Sequence, residues 1–336
     1  MSVGDHSVIE ESAQLDQLDR QIASALQVNG RASWRAIARC LEVPERTVVR
    51  RGQSLLDSGS VRVSTYLDTT RVGSARPLIL VAFTEPGTSL QIASLIAARK
   101  DASSVSVLEG TDHLVCMLIP SDDGSRRQLL FRDLPSIDGL RDTTVSTVLR
   151  YFRTGYDWTA GELSDEIRNS LLDLPRSDPE RTDQVELDRE DWSLVEELAI
   201  DGRRTIAALS KSLGIAPQTV QRRMNHLFET GAIHIRTEVS PILFGLGVEV
   251  LVWIQAAPAE VDPLARSLST HPAVRFCAAT TGQSQLLLNC LFTDENALYE
   301  FLTEYLGSHG ASRVADVAVV VVALRRGPLV MPIPEV

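Results

Sequence analysis

Apolar side chains along this chain follow two periods, and the periods alternate in blocks. Across 187–228 the spacing is helical. Leu187, Trp192, Val195 and Leu198 form one stripe, which Asp201-Gly202 ends. Thr205 can cap a second helix carrying Ile206, Leu209 and Leu213, because its hydroxyl accepts from an otherwise unpaired first-turn amide. Gly214 suits the tight turn that follows, and Pro217 the first turn of a third helix, where its missing N–H is no loss. Val220, Met224, Leu227 and Phe228 then recur at helical spacing, and Gly231 stops the helix before Ile233-His234-Ile235-Arg236 begins a strand or wing.

From Val248 the period falls to two. Strands are predicted over 248–257, 274–280, 285–292 and 314–324, with helices over 258–269 (Val261, Leu264 and Leu268 inward) and 294–306. The order βαββαβ is the ferredoxin-like arrangement, two helices on one face of an antiparallel sheet. The run VAVVVVAL at 317–324 does not alternate, and Leu286-Leu287-Leu288 and Val250-Leu251-Val252-Trp253 barely do. Both faces of this sheet are therefore expected to be covered, one by helices and the other by a second sheet of the same kind.

The first half of the chain can supply that second sheet, because it repeats the second half at a displacement of 172 residues without a gap. Leu15-Asp16 matches Leu187-Asp188, Gly30-Arg31 matches Gly202-Arg203, Thr47-Val48 matches Thr219-Val220, and Arg50-Arg51 matches Arg222-Arg223. The strands of the first copy fall near 77–84, 104–109, 113–119 and 143–151. The expected fold class is α+β: a winged, three-helix helix-turn-helix followed by a ferredoxin-like βαββαβ module, the pair duplicated in tandem. The expected boundaries are a disordered 1–14, a first head at 15–66 and a first module at 67–158. An acidic linker at 159–186, a second head at 187–240, a second module at 241–330 and a tail at 331–336 complete the chain.

Charge changes this picture only when mapped. The net charge of −11 looks hostile to nucleic acid. Yet residues 31–62 hold seven arginines against Glu42, Glu45 and Asp57, and 203–236 hold five arginines and Lys211 against Glu229. Two basic islands at equivalent places are an electrostatic footprint that the whole-chain balance hides. Cys40, Cys116, Cys277 and Cys290 show no C-x-x-C pairing, and the six histidines are scattered, so no metal site, cofactor or disulfide framework is expected. The longest apolar run is too short for a membrane helix, and 1–14 has no apolar core of a signal, so a cytoplasmic protein is expected.

With the core stripe of the third helix turned inward, Gln218, Thr219, Gln221, Arg222 and Asn225 face out; in the first copy Arg46, Thr47 and Arg50 do. Glutamine can pair with adenine and arginine with guanine in a major groove, while Arg203, Arg204 and Lys211 are better placed for phosphates; Arg31, Arg51 and Arg223 are further candidates for DNA contact. The heads differ: Glu42 replaces the turn glycine Gly214, and Gly52 replaces Met224, which predicts a weaker first head because glycine within a helix costs about 1 kcal/mol.

L-D-x-x-D at Leu15 and Leu187, D/N-G-R at Asn29 and Asp201, and T-V-x-R-R at Thr47 and Thr219 resemble the Lrp/AsnC, or feast/famine, transcriptional regulators. The likeness extends through both modules, as a tandem fusion of two such proteins. It implies binding of double-stranded DNA, homo-oligomers, and often an amino acid or related effector. The effector loop of that family corresponds to Gly110, Thr111 and Asp112 in one copy and Gly282, Gln283 and Ser284 in the other, both lacking its aromatic residue. The two modules would pack as an intramolecular pseudo-dimer and set the distance between the heads. Two rival readings share the architecture: an enzyme resembling the siroheme decarboxylases, which resemble this family, and a ligand-sensing adaptor without DNA binding. The segments equivalent to the decarboxylase motifs, 240–253 and 282–289, hold no histidine, and no acid–base set recurs in both copies, so no catalytic residue is assigned.

Overall fold

The 172-residue displacement holds element by element in the computed structural model, which describes residues 15–68, 71–73, 76–110, 112–155, 157–172, 184–309, 312–327 and 329–331. The first copy comprises α1 (Gln17–Val28), α2 (Trp34–Leu41), α3 (Glu45–Asp57) and β1 (Val61–Leu67). Its module follows as β2 (Leu78–Thr84), α4 (Ser89–Ala97), β3 (Ala102–Leu108), β4 (His113–Leu118), α5 (Asp123–Gln128) and β5 (Leu140–Arg153). After α6 (Asp165–Leu171), the second copy runs α7 (Arg189–Ile200), α8 (Ile206–Leu213), α9 (Pro217–Glu229) and β6 (Ile233–Val239). It ends with β7 (Val248–Ala256), α10 (Val261–Leu268), β8 (Val274–Thr280), β9 (Leu286–Phe292), α11 (Glu295–Glu300), β10 (Ser312–Arg326) and β11 (Leu329–Val330). Even the π-helical turns that extend α5 and α11, Leu129–Asp133 and Phe301–Leu306, begin 172 residues apart.

The chain divides into two compact units that each take one part from each copy: 1–74 with 159–244, and 75–158 with 245–336. In the first unit the heads are joined by their wings. β1 and β6 pair antiparallel from Val61↔Val239 to Leu67↔Ile233, so Ser64 faces Arg236. Those two residues are each other's equivalents, which puts a pseudo-twofold axis through the middle of the ribbon. The segment 159–186 is more than a linker. Leu163, Ile167 and Leu171 pack into the core of the first head beside Ile22, Leu26 and Ile37, and Asn29 donates to the Leu171 carbonyl at 3.0 Å. Asp165 and Glu166 lie on the exposed side of this short amphipathic helix, whose apolar side packs against the head. The tract 173–183, the segment 1–14 and the tail 332–336 lie outside the described residues.

In the second unit the two βαββαβ sheets close on each other by strand pairing. The order β3-β4-β2-β5-β8-β9-β7-β10 returns to β3, and β11 flanks β10. The joints are equivalent. Val148↔Thr280 on one side corresponds to Val320↔Leu108 on the other, and the bulges fall at matching places. Closure explains the non-alternating strands. On β2, Leu78, Leu80 and Ala82 face α4, whereas Ile79 and Val81 face an interior shared with Val115, Met117, Leu251, Trp253 and Leu287. An arginine braces each joint. Arg153 donates to the carbonyls of Ser269 and His271 at 2.9 Å, and Arg325 donates to those of Ala97 and Arg99 at 2.6 Å, each covering the carboxyl end of a helix in the other module.

Candidate nucleic-acid interface

Each head places its third helix by a capped second helix and a left-handed turn. Ser33 and Thr205 accept from the amides of Ala36 and Ala208. Gly214 then takes φ +69°, and Glu42 takes nearly the same conformation at φ +55°. Glutamate tolerates that region at a cost of roughly 1 kcal/mol, so the missing glycine leaves the turn intact. On α9, Val220, Met224, Leu227 and Phe228 are buried, while Gln218, Gln221, Arg222 and Asn225 are exposed and Thr219 is half-buried. Gln221 donates to Asn225 at 2.7 Å. On α3, Val48, Gly52 and Leu55 are buried; Arg46 and Arg50 are exposed and Thr47 is half-buried. Arg46, Thr47 and Arg50 line an open depression of about 910 Å³ that continues past Gln53 and Ser54 to Asp57.

Gly52 has a packing reason. A Cβ there would lie 2.3 Å from Trp34 Cζ3, so the ring of Trp34 occupies the space that Met224 fills in the second head. Ile206 is the residue equivalent to Trp34. One head pairs a large residue on the second helix with a glycine on the third, and the other pairs two of medium size.

The eight arginines named from the sequence separate into three that face solvent and five that are engaged within the protein. Arg46, Arg50 and Arg222 are exposed. Arg51 and Arg223 are drawn back to the start of the first helix of their own head. Arg51 pairs with Asp16 and Asp19, and Arg223 with Asp188, Glu190 and Asp191. The Asp188 carboxyl sits below its usual range because the Asp191 amide and then Arg223 donate to it, and Asp16 is held down likewise by the Asp19 amide and Arg51. This tie accounts for the L-D-x-x-D and R-R motifs as one structural device. Arg204 forms an ion pair with Glu197. Arg31 and Arg203 reach across to the other head: Arg31 donates to the carbonyls of Gly202 and Arg204, and Arg203 to those of Gly30 and Ala32. Burial is the main influence lowering the pKa of both guanidiniums. Arg31, Arg51, Arg203, Arg204 and Arg223, all candidates for DNA contact from the sequence, thus have partners within the protein. The exposed cations left on the second helices are Arg35, Arg39 and Lys211, of which the arginines were legible only as members of a basic island.

The candidate effector loops are tight strand connections. Thr111 lies outside the described residues. Asp112 takes φ +67° and its carboxylate accepts from the Gly87 amide at 3.4 Å. Gly282 takes φ +107°, with Ser146 Oγ 2.9 Å from where a Cβ would be, and Gln283 is exposed. Thr280 Oγ1 donates to the Ser284 carbonyl at 3.0 Å. The surroundings differ between copies. The Thr147 amide donates to Thr281 Oγ1 at 2.8 Å and Arg126 to Thr147 Oγ1 at 2.9 Å, whereas Leu298 and Val319 stand where Arg126 and Thr147 would in the other copy. A half-buried cluster that sequence reasoning missed lies on the inner side of β7: Glu249 pairs with Arg326 and accepts from Asn289 at 2.9 Å. Its only signal was a lone acid in the apolar strand VEVLVW.

Residues 15–56 and 187–227 match the AsnC-type helix-turn-helix domain, and residues 249–326 match the Lrp/AsnC ligand binding domain. The chain thus carries two AsnC-type helix-turn-helix domains and an Lrp/AsnC ligand binding domain. It is similar to an uncharacterized HTH-type transcriptional regulator of Pyrococcus abyssi, 26% identical over 144 residues that make up 43% of this chain and 91% of the relative. It is also similar to the leucine-responsive regulatory protein of Rhizobium meliloti, 28% identical over 37% of this chain and 81% of that protein. Such relatives match under half of the chain, consistent with the duplication. Among solved structures it is similar across both copies to the siroheme decarboxylase NirDL, with a TM-score of 0.60, 13% identity and 93% of each chain covered. That likeness is one of fold. Among the described residues, no helix is long and apolar enough to cross a membrane, and no cluster of three or more His, Cys, Asp or Glu side chains could hold a metal ion.

Proposed function

We propose that this protein is a sequence-specific regulator of transcription of the Lrp/AsnC family that binds double-stranded DNA through two unlike heads. The observation that carries the reading is the pair of exposed recognition faces at equivalent positions: Arg46, Thr47 and Arg50 on α3, and Gln218, Thr219, Gln221 and Arg222 on α9. Arg46 and Arg50 sit one turn apart and suit guanines; Gln218 and Arg222 suit an adenine and a guanine. Arg35, Arg39 and Lys211 would contact phosphates. An amino-acid-like effector would bind at the modules near Gly110 and Asp112 or near Gly282, Gln283 and Ser284, and a homo-oligomer would form through the same unit.

Selection of duplexes from a random pool with the intact chain tests this reading. The expected product is an imperfect palindrome whose half-sites lie about one helical turn, or a multiple, apart. Arg50→Ala should weaken one half-site and Arg222→Ala the other, each by roughly 1–3 kcal/mol. Affinity should fall steeply with salt, as phosphate contacts require. Recovery of a perfect palindrome equally sensitive to both substitutions would refute the division of labour. A flat salt response would refute phosphate binding.

A further inference from the structure

The D/N-G-R loops do something that a DNA-contacting motif would not. Asn29 and Asp201 each accept from the amide two residues on, at 3.0 and 2.8 Å, which turns the following arginine away from its own head. Arg31 and Arg203 then cross in opposite directions, each giving two hydrogen bonds to backbone carbonyls of the other head's loop. The glycines make the approach possible. Gly202 donates to the Val63 carbonyl at 2.8 Å, and a Cβ on it would lie 2.9 Å from the Ser64 carbonyl carbon; one on Gly30 would lie 2.5 Å from Ile235 Cγ2. Thr237 of the wing ribbon donates to the Leu26 carbonyl at 2.6 Å, and the Arg203 guanidinium lies 4.4 Å over the Trp34 ring. The acceptors are main-chain oxygens, so the clasp demands one geometry of the two loops whatever their side chains.

Resting on the DNA-reading proposal above, we infer that Arg31 and Arg203 are positioning residues that fix the separation and phase of the two recognition helices, and with them the half-site spacing the protein accepts. The spacing device assigned from sequence to the effector modules lies, on this geometry, between the heads themselves.

The test uses the intact chain, the Arg31→Ala/Arg203→Ala double variant and, as an independent disruption that removes no cation, Gly202→Ala. The probes are the selected duplex, a duplex with five base pairs inserted between its half-sites, and a duplex with one half-site. Insertion of about half a helical turn should weaken the parent at least tenfold and either variant less than threefold, while single-half-site affinity stays within twofold throughout. Spin labels at Gln53→Cys and Asn225→Cys in a Cys40→Ala background should give a narrow distance distribution in the parent and a broad one in the variants, a readout independent of DNA. A variant that loses tenfold on the single half-site would overturn the inference by showing that the arginines touch DNA. Unchanged spacing dependence or an equally narrow distance distribution would overturn it too. Failure of the parent to select any duplex, with the distance result as expected, would sink the DNA reading and leave the clasp standing.

Discussion

Exchange of the Trp34–Gly52 pair for its counterpart in the second head is the sharpest test of how the copies diverged. At Gly52 a Cβ would stand 2.3 and 2.6 Å from two ring carbons of Trp34, more than an ångström inside ordinary contact. The ring has little room to retreat, because Arg203 rests on its face at 4.4 Å. Gly52→Met should therefore cost up to about 3 kcal/mol in overpacking, less about 1 kcal/mol recovered from helix propensity, for a net loss near 2 kcal/mol. Trp34→Ile alone leaves a void and forfeits the cation–π contact, together about 3 kcal/mol. The double variant recreates the Ile206–Met224 pair. It should lie within about 1.5 kcal/mol of the parent, which gives a coupling energy of at least about 3.5 kcal/mol. Native-state amide exchange across α3 measures this locally, with thermal melting as the global check. Additivity of the two substitutions within about 0.5 kcal/mol, or a Gly52→Met variant more stable than the parent, would refute the packing argument.

Two further expectations concern the modules. Burial alone would raise the Glu249 carboxyl, but Arg326, Arg275 and Asn289 outweigh it and bring it to about 2 from an ordinary 4.5. A depressed carboxylate stabilises the fold above its unfolded pKa and loses that contribution as pH falls from about 4.5 through about 2, up to about 3 kcal/mol here. Glu249→Gln should melt lower at neutral pH and show a shallower fall than the parent in that window; parallel melting curves would contradict the assignment. Burial also pushes Cys277 up to about 11 and Cys116 up to about 12, and raises Cys290, whereas Cys40 is half-buried beside Ser170. Iodoacetamide at pH 8 should modify only Cys40 in the native protein and all four thiols after denaturation. Rapid native labelling of a second cysteine would show that the modules open.

Helix stripes, caps and the turn residue were legible because they depend on contacts a few residues apart. The stripe Val220, Met224, Leu227 and Phe228 is buried, and Gln218 and Arg222 are exposed, from helical spacing alone. The unbroken apolar strands likewise announced two covered faces. The roles of the charged residues were not legible. An arginine beside a glycine in a basic island has the same composition whether it meets a phosphate or the carbonyl of a loop 171 residues away. The acidic tract at 159–186 hid a helix that finishes the first head, because carboxylates dominate the count while Leu163, Ile167 and Leu171 do the packing.

By itself, then, the sequence determined the two copies, their element order and the faces their helices turn to solvent, since local periodicity and a constant 172-residue displacement carry that information. Only the tertiary structure decided which residues the copies spend on each other. The wing register centred on Ser64 and Arg236, the crossed arginines of the heads and those of the modules all join atoms far apart in the chain, mostly to main-chain oxygens. Main-chain acceptors are the same at every residue, so no pattern of side chains marks them in advance.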